Sequence, residues 1–209
     1  MKKATFFDKL NVSRETIESL QKYVKLLTLW NNRINLVSKN TVRDAWDRHV
    51  LDSAQLMSFL DNNAKKWIDL GTGAGFPGLV VAAIAKERSP HLSVSLVESD
   101  KRKCVFLNQA AEILEVNVEI YPERIEECLF LNADIVSARA LAPIKQLLPY
   151  LAQIGNKRSK GLFLKGKNVY KELDDVKNIS EFNIKISPSV VDVSGFVLEI
   201  EKRKGFSFE

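Results

Sequence analysis

The sequence is organised around residues 67–78, which read Trp-Ile-Asp-Leu-Gly-Thr-Gly-Ala-Gly-Phe-Pro-Gly. The stretch opens with a largely apolar run, 67–70, typical of a buried strand, and it leads into the apolar residues 79–84, typical of a helix. Three glycines spaced two apart lie between them, and glycine lets the backbone adopt positive φ and pass close to a ligand. The helix N-terminus adds unpaired N–H groups and a positive dipole end. The stretch therefore predicts a strand–turn–helix cradle for a nucleotide cofactor.

The glycine spacing distinguishes between two classes of cofactor. In the dinucleotide fingerprint G-x-G-x-x-G, the third glycine would fall at Phe76. The chain instead has Gly71, Gly73 and Gly75, with Asp69 two residues before them. It thereby resembles the glycine loop of class I S-adenosylmethionine (SAM) methyltransferases, in which the acid steers the methionine end of the cofactor. SAM is therefore the expected cofactor, and a nicotinamide oxidoreductase is a poor alternative.

A second acid supports SAM binding. Residues 92–97 have the pattern of the next strand, and Glu98 follows at its end. A carboxylate there can accept hydrogen bonds from both ribose hydroxyls of the cofactor. The alternative is an ordinary strand-to-helix turn whose glycines serve only packing. Asp69, Gly71, Gly73 and Glu98 are the candidate cofactor-binding residues on these grounds.

Length and composition are those of one domain with a sizeable core, since the chain has 209 residues of which 45% are hydrophobic. Two cysteines, Cys104 and Cys128, have no second pair and no histidine partner, so neither a disulfide framework nor a metal site is predicted. No run resembles a signal sequence or a membrane span, so we expect a cytosolic protein without a membrane partner. A monomer is the simplest expectation for the oligomeric state.

The excess positive charge lies ahead of the glycine stretch. Residues 1–66 contain 12 Lys and Arg against 7 Asp and Glu, whereas residues 67–209 contain 19 of each. We expect a basic helical cap over 1–66 packed on a methyltransferase domain over 67–209. Such a charge distribution predicts an anionic substrate, nucleic acid first, although a solvated helical surface would have the same composition. Arg43, Arg48 and His49 are the candidate RNA contacts in the cap.

From Trp67 onward, strand and helix patterns alternate, which predicts an α/β fold with a doubly wound, mostly parallel sheet of the class I, Rossmann-like type. Two late runs, 182–191 and 196–202, are close enough to pair as a terminal antiparallel hairpin. In open α/β sheets, ligands bind at the carboxyl ends of the strands. Residues 124–126 follow one predicted strand there, where they could meet the adenine. Arg139 follows the next, and Lys165 ends another as a further candidate RNA contact.

The residues around Arg139 narrow the chemistry. Residues 137–140 read Ser-Ala-Arg-Ala, which lacks the Asn/Asp-Pro-Pro-Tyr-like run usual in enzymes that methylate exocyclic amines of bases. Both cysteines fall away from this face, so a cysteine nucleophile is not indicated. A ring nitrogen that owns a lone pair, such as guanine N7, needs neither base nor nucleophile, and catalysis would then consist of positioning. Arg139 is the candidate catalytic residue, with a surface ion pair as the alternative.

Six runs occur in one order along the chain: Trp30-Asn-x-x-Ile-Asn-Leu36, Arg48-His-x-Leu-Asp-Ser53, Ile68-Asp-Leu-Gly-Thr-Gly-Ala-Gly-Phe-Pro-Gly78, Arg124-Ile-Glu-Glu127, Ser137-Ala-Arg-Ala140 and Leu164-Lys-Gly166. Together they resemble the bacterial RsmG family, also called GidB, from about Leu20 to Lys202. The glycine loop is shared by many methyltransferases, whereas the Arg-His-x-Leu-Asp-Ser and Ser-Ala-Arg-Ala runs are much more specific.

The resemblance implies a SAM-dependent methyltransferase that makes N7-methylguanosine in the decoding-centre loop of 16S ribosomal RNA, as naked RNA or in a small ribosomal subunit particle. It also implies SAM contacts at Gly71, Phe76, Ile125, Glu126 and Arg139. The family often has Ala or Val where Ile125 stands, which a backbone contact would tolerate. Without the resemblance, the residues predict only a methyltransferase, with nucleic acid as the first candidate substrate. A methyltransferase of another RNA or of a small molecule and a non-catalytic SAM-binding regulator are the alternatives.

Overall fold

A computed structural model of the protein describes Phe7 and residues 11–203. Its strands are β1 (Lys66–Leu70), β2 (Ser93–Val97), β3 (Val118–Tyr121), β4 (Ala133–Arg139), β5 (Gly155–Lys165), β6 (Phe182–Pro188) and β7 (Phe196–Lys202). They form one sheet in the order β3-β2-β1-β4-β5-β7-β6. β7 runs antiparallel to β5 and β6, and the remaining pairs are parallel. The predicted α/β fold with a terminal antiparallel hairpin is confirmed.

Helices cover both faces of the sheet. The longer ones in the described residues are α1 (Arg14–Asn31), α2 (Gly78–Arg88), α3 (Lys101–Leu114), α4 (Ile144–Ile154) and α5 (Val169–Asp174). α1, α2 and α3 share one hydrophobic core with one sheet face, and α4 and α5 share a second core with the other. β1 is buried from Trp67 to Leu70, as expected of a central parallel strand covered on both sides. Within residues 11–203, no helix is long and apolar enough to cross a bilayer.

The first cap helix, α1, is built on an N-cap and an apolar stripe. Ser13 Oγ accepts a hydrogen bond from the backbone N–H of Thr16 at 3.1 Å, which satisfies one of the free donors of the first turn. Leu20, Tyr23 and Leu27 repeat at helical spacing and are fully buried. They belong to the same core as α2 and α3, so this part of the cap has no separate core of its own. The division at residue 66 stays a prediction.

The second part of the predicted helical cap is not one continuous helix. The chain instead forms four short helical pieces: Lys39–Val42, a π-helical turn Trp46–Leu51, Asp52–Ala54 and a 3₁₀ turn Gln55–Phe59. We call residues 39–59 the cap segment. The apolar pattern was correct, since Val50, Leu51, Ala54 and Leu56 are buried, but the winding changes along it. A π turn is rare and is frequently found at functional sites, and this one carries Arg48 and His49.

We expect Tyr23→Phe to destabilise the protein by about 1–3 kcal/mol, because the Tyr23 hydroxyl donates to the buried backbone carbonyl of Ala74 and the variant leaves that acceptor unpaired. The ring contacts with Phe76 and Phe106 would remain. Urea unfolding followed by circular dichroism measures the change. Tyr170→Phe is the matched control, because Tyr170 is 58% exposed. Equal losses in both variants, or separate transitions for cap and sheet, would contradict a shared core.

Candidate active site

A buried carboxylate near the end of β1 holds the glycine loop against the sheet. Asp69, at 0% exposure, accepts hydrogen bonds from Thr72 Oγ1 at 2.5 Å, Gly78 N at 2.9 Å and Ser137 Oγ at 2.7 Å. Ser137 in turn accepts from Trp67 Nε1 at 2.8 Å. Burial raises the pKa of Asp69 to about 6, and the three donors oppose that rise. The carboxylate therefore ties the loop and the start of α2 to β4, and its predicted contact with the cofactor stays a prediction.

The three glycines of the loop have different roles. Gly71, Gly73 and Gly75 all have positive φ, at +57°, +58° and +90°. A side chain at Gly71 would collide with Leu141, and one at Gly75 would collide with Leu79, so both positions are closed by packing. A Cβ at Gly73 would meet nothing nearer than the Gly71 carbonyl oxygen at 3.9 Å. The loop therefore exposes one open face, at Gly73, where a ligand can approach the backbone.

Glu98 borders this open face. It follows β2 and is 7% exposed, and its Oε2 accepts a hydrogen bond from Gly73 N at 2.9 Å. Its Oε1 accepts from Asp100 N at 2.9 Å. An ionised carboxylate offers about four lone-pair positions, so two acceptor positions remain. The predicted second acid is thus beside the glycine loop, as a ribose-binding carboxylate requires.

Residues after β3 occupy the next strand end. Ile125 and Glu126 lie in the 3₁₀ turn Ile125–Glu127, with Ile125 half-buried and Glu126 exposed. Glu126 Oε1 accepts a hydrogen bond from Tyr150 Oη at 2.6 Å. This bond attaches the turn to α4. Both residues are at the carboxyl edge of the sheet, as predicted.

Arg139 ends β4 and joins the sheet to the cap segment. Its Nη2 donates to the Arg48 carbonyl oxygen at 2.5 Å and lies 3.7 Å from Asp52 Oδ2. The side chains of Arg139 and Asp52 are only 19% and 16% exposed, so this is not a surface ion pair. Burial lowers the pKa of Arg139, which Asp52 counters, and burial raises the pKa of Asp52, which Arg139 counters. Arg139 Nη1 is buried without a hydrogen-bond partner among the residues described. A buried donor of this kind points to a missing acceptor.

Two of the four predicted RNA contacts, His49 and Lys165, are largely buried and have partners within the protein. His49 is 7% exposed, stacks on Phe76 with ring centroids 5.0 Å apart, and bonds through Nε2 to Thr41 Oγ1 at 3.0 Å. It is a packing residue between the cap segment and the glycine loop. Lys165 Nζ, on a side chain 10% exposed, donates to the Ala142 carbonyl at 3.0 Å and pairs with Glu172 at 2.6 Å.

The other two predicted RNA contacts remain available. Arg43 is exposed, and its side chain forms no hydrogen bond or ion pair with the residues described. Arg48 is 52% exposed at its side chain and pairs with Asp192 at 3.3 Å. A salt bridge this exposed contributes little stability and exchanges readily for a phosphate.

A cavity of about 360 Å³ lies between the cap segment, Arg139 and the turn that joins β6 to β7, and we call it the cap–hairpin cavity. It is lined by Asp44, Asp47, Arg48, Asp52, Arg139, Val191, Asp192 and Val193. Two larger cavities, of about 530 and 690 Å³, lie along β1–β3 and beside α4, and neither includes a predicted site residue. Size alone therefore does not identify the site.

Sequence reasoning missed the role of Asp52. Its Oδ1 accepts from Gln55 Nε2 at 2.7 Å and from Ser189 Oγ at 3.0 Å, and Gln55 Oε1 accepts from Val190 N at 3.1 Å. These bonds join the cap segment to the β6–β7 turn. Asp52 lies in the Arg48-His-x-Leu-Asp-Ser run, which was a signal for it, whereas the turn has no comparable motif. Across residues 11–203 and Phe7, no group of three or more potential ligands could hold a metal ion.

His49 provides a pH test of the site. Burial, with Arg139 and Arg48 nearby, lowers its pKa from the ordinary 6.5 to about 3. In the unfolded chain His49 takes up a proton below about pH 6.5, so the stability that depends on its neutral form is lost as pH falls from 6.5 toward 3. Between pH 7 and pH 5, we expect the wild type to lose about 2 kcal/mol more unfolding free energy than His49→Phe. Urea titrations at both pH values measure the difference, and parallel profiles for the two proteins would contradict it.

Comparison with known proteins agrees with this geometry. The family model of GidB, described as rRNA small subunit methyltransferase G, matches residues 16–196. A ribosomal RNA small subunit methyltransferase G of Parvibaculum lavamentivorans is 43% identical over 199 residues, covering 93% of this chain and 87% of the relative. Another, of Paramagnetospirillum magneticum, is 46% identical over 200 residues, covering 93% and 92%. A solved SAM-dependent methyltransferase from Aquifex aeolicus shares the fold, with a TM-score of 0.58 at 14% identity over 77% of this chain and 93% of that one. The chain belongs to the GidB family, the rRNA small subunit methyltransferases G.

Proposed function

We propose that the protein transfers the methyl group of SAM to N7 of a guanine in the decoding-centre loop of 16S ribosomal RNA. The observation that carries the proposal is the open face at Gly73, bordered by Glu98, at the same sheet edge as the unpaired donor of Arg139. Membership of the GidB family supports the ribosomal RNA substrate. The substrate is the RNA itself or a small-subunit particle, and the protein acts as a cytoplasmic monomer without a metal ion.

The residues present fit SAM. Glu98 has two free acceptor positions for the ribose hydroxyls, and the loop at Gly73 leaves room for the ligand. Ile125 and Glu126, at the next strand end, would hold the adenine. Gly71 and Phe76 shape the two ends of the loop. Asp69 holds the loop in place through its three buried hydrogen bonds.

Methyl transfer to N7 requires the protein to position the two reactants. Bound SAM supplies an electrophilic methyl group on a sulfonium. Guanine N7 carries its own lone pair, so no proton has to leave it before attack. The task of the protein is then to hold N7 in line with the methyl group and to exclude water, an entropic and electrostatic contribution. Arg139 is suited to this task, because it is desolvated and its free donor requires an acceptor from cofactor or base.

Arg43 and Arg48 bind the RNA outside the active site. Both are exposed on the cap segment, and Arg48 lies at the mouth of the cap–hairpin cavity. Phosphate contacts from such residues position an RNA without reading its sequence. The formal net charge of +5 on the whole chain favours approach of a polyanion.

Gly73→Ala tests the cofactor face. A Cβ at this position meets no other side chain, so we expect the fold to survive with a strain cost of about 1–2 kcal/mol from φ of +58°. SAM affinity should fall at least about tenfold, since the methyl group occupies the ligand face. Calorimetric titration and thermal melting measure the two effects. Gly78→Ala is the contrasting variant, because its Cβ would collide with Leu96 and Asp69 and should lower stability. Wild-type SAM affinity in Gly73→Ala would remove the assignment.

The reaction itself is tested by mapping modified nucleosides. Wild-type protein, SAM and unmethylated 16S RNA or small subunits should yield one N7-methylguanosine, located by primer extension after borohydride–aniline cleavage. Arg139→Lys should retain charge and fold but lose about 2–4 kcal/mol of transition-state stabilisation in single turnover, because lysine does not reproduce the planar donor pair. Methylation at another atom or in another RNA would replace the proposed substrate, and near wild-type rates for Arg139→Lys would remove Arg139 from the mechanism.

A further inference from the structure

The cap–hairpin cavity suits a single base better than a phosphate. Its volume of about 360 Å³ lies at the small end of the range for ligand pockets, roughly 300–1,000 Å³. Its lining contains four aspartates against two arginines. An anionic group would be repelled there, whereas a neutral ring with several N–H donors and one acceptor would find partners for both.

The cavity adjoins the cofactor loop. Arg139 lines the cavity, and Leu141, two residues farther along the chain, closes the space beside Gly71. On the other wall, His49 follows Arg48 directly and stacks on Phe76 at the end of the loop. The cavity therefore adjoins the glycine loop, where the proposed function places the cofactor.

One carboxylate in this lining is held rigidly with an oxygen to spare. Asp52 Oδ1 is occupied by Gln55 and Ser189, which fix the side chain. Its Oδ2 forms no hydrogen bond with the residues described and lies 3.7 Å from Arg139 Nη2, beyond hydrogen-bond distance. Asp192 offers a contrast in the same lining, because its Oδ1 is bonded to Ser194 and its Oδ2 is paired with Arg48.

We propose that the cap–hairpin cavity receives the target guanine and that Asp52 selects it by accepting the N1–H and 2-amino hydrogens of its Watson–Crick edge. Arg139 Nη1 donates to O6 in this arrangement. N7 lies on the neighbouring Hoogsteen edge, is not used by these contacts and stays free for methylation. This assignment rests on the proposed function and adds the residue that determines base specificity.

The arrangement discriminates against adenine. Adenine presents a lone pair at N1 and a donor at its 6-amino group, so its N1 would face the Asp52 carboxylate and its amino group would face the Arg139 guanidinium. In the first contact two acceptors would face each other, and in the second two donors would. A site built for hydrogen bonds rejects a ligand that leaves its buried groups unpaired. Reading a base on its Watson–Crick edge requires that it be unpaired, which a loop nucleotide fulfils.

Inosine at the target position provides the test, because it lacks only the 2-amino group and retains N1–H, O6 and N7. Synthetic RNA with guanosine or inosine at the mapped position is methylated by wild type, Asp52→Asn and Asp192→Asn. The wild type should prefer guanosine over inosine by roughly 10- to 100-fold in kcat/KM, since a hydrogen bond to a charged acceptor is lost. Asn retains an oxygen for Gln55 and Ser189, so Asp52→Asn should fold. It should react slowly and prefer guanosine by less than about threefold.

Asp192→Asn is the matched control and should keep the wild-type preference. A guanosine preference that persists in Asp52→Asn, or a wild type that uses inosine equally well, overturns the assignment and leaves the proposed function intact. If the guanosine RNA itself is not methylated at N7, the proposed function fails and this inference with it. RNA with 1-methylguanosine at the target tests the wild type alone, should Asp52→Asn not fold. It should react at least about 100-fold more slowly, and an unchanged rate rejects the contact at N1.

Discussion

The buried charge of Asp69 is the constraint on which the site depends. A carboxylate removed from water costs several kcal/mol unless donors surround it, and here the donors come from the loop, from the start of α2 and from β4. The three elements must be in place together, or the charge is left uncompensated. The loop conformation is thereby set by the sheet beneath it, and the upper face at Gly73 is left free of packing. A cofactor site needs both properties: a loop held rigidly on the side of the sheet and a face open to the ligand on the other side.

The substrate half of the site is held differently. It is assembled from the cap segment, Arg139 and the β6–β7 turn, which meet through hydrogen bonds and ion pairs more than through a core. His49 fits this electrostatic setting, because its neutral ring packs beside two arginines where a third positive charge would be unfavourable. The glycine loop and the cap–hairpin cavity thus rest on separate sets of contacts that meet at Arg139.

The parts predicted from sequence are those with local signals. Glycine spacing and strand ends located Gly73, Glu98 and Arg139, because parallel strands bring their carboxyl ends to one edge. His49 and Lys165 were assigned to RNA by charge and position, but their partners, Phe76 and Glu172, are set by tertiary packing that the local pattern does not contain. The helical character of the cap was predicted, but its winding over 39–59 was not, because apolar spacing does not distinguish α from π and 3₁₀ turns. The cap–hairpin cavity had no signal, since its walls lie far apart in the chain.

The bond between Asp52 and Ser189 joins residues 137 positions apart, and this separation has a consequence during synthesis. A chain that emerges N-terminus first presents the glycine loop, α2 and β2 well before the β6–β7 turn exists. Long-range contacts of this kind form last and slowly. A chain that ends before residue 189 lacks this turn and also β7, whose Val197, Leu198 and Ile200 are fully buried in the two cores. It would contain the glycine loop but neither a complete sheet nor the second wall of the cap–hairpin cavity. Complete translation is therefore a condition for the sheet as well as for the site.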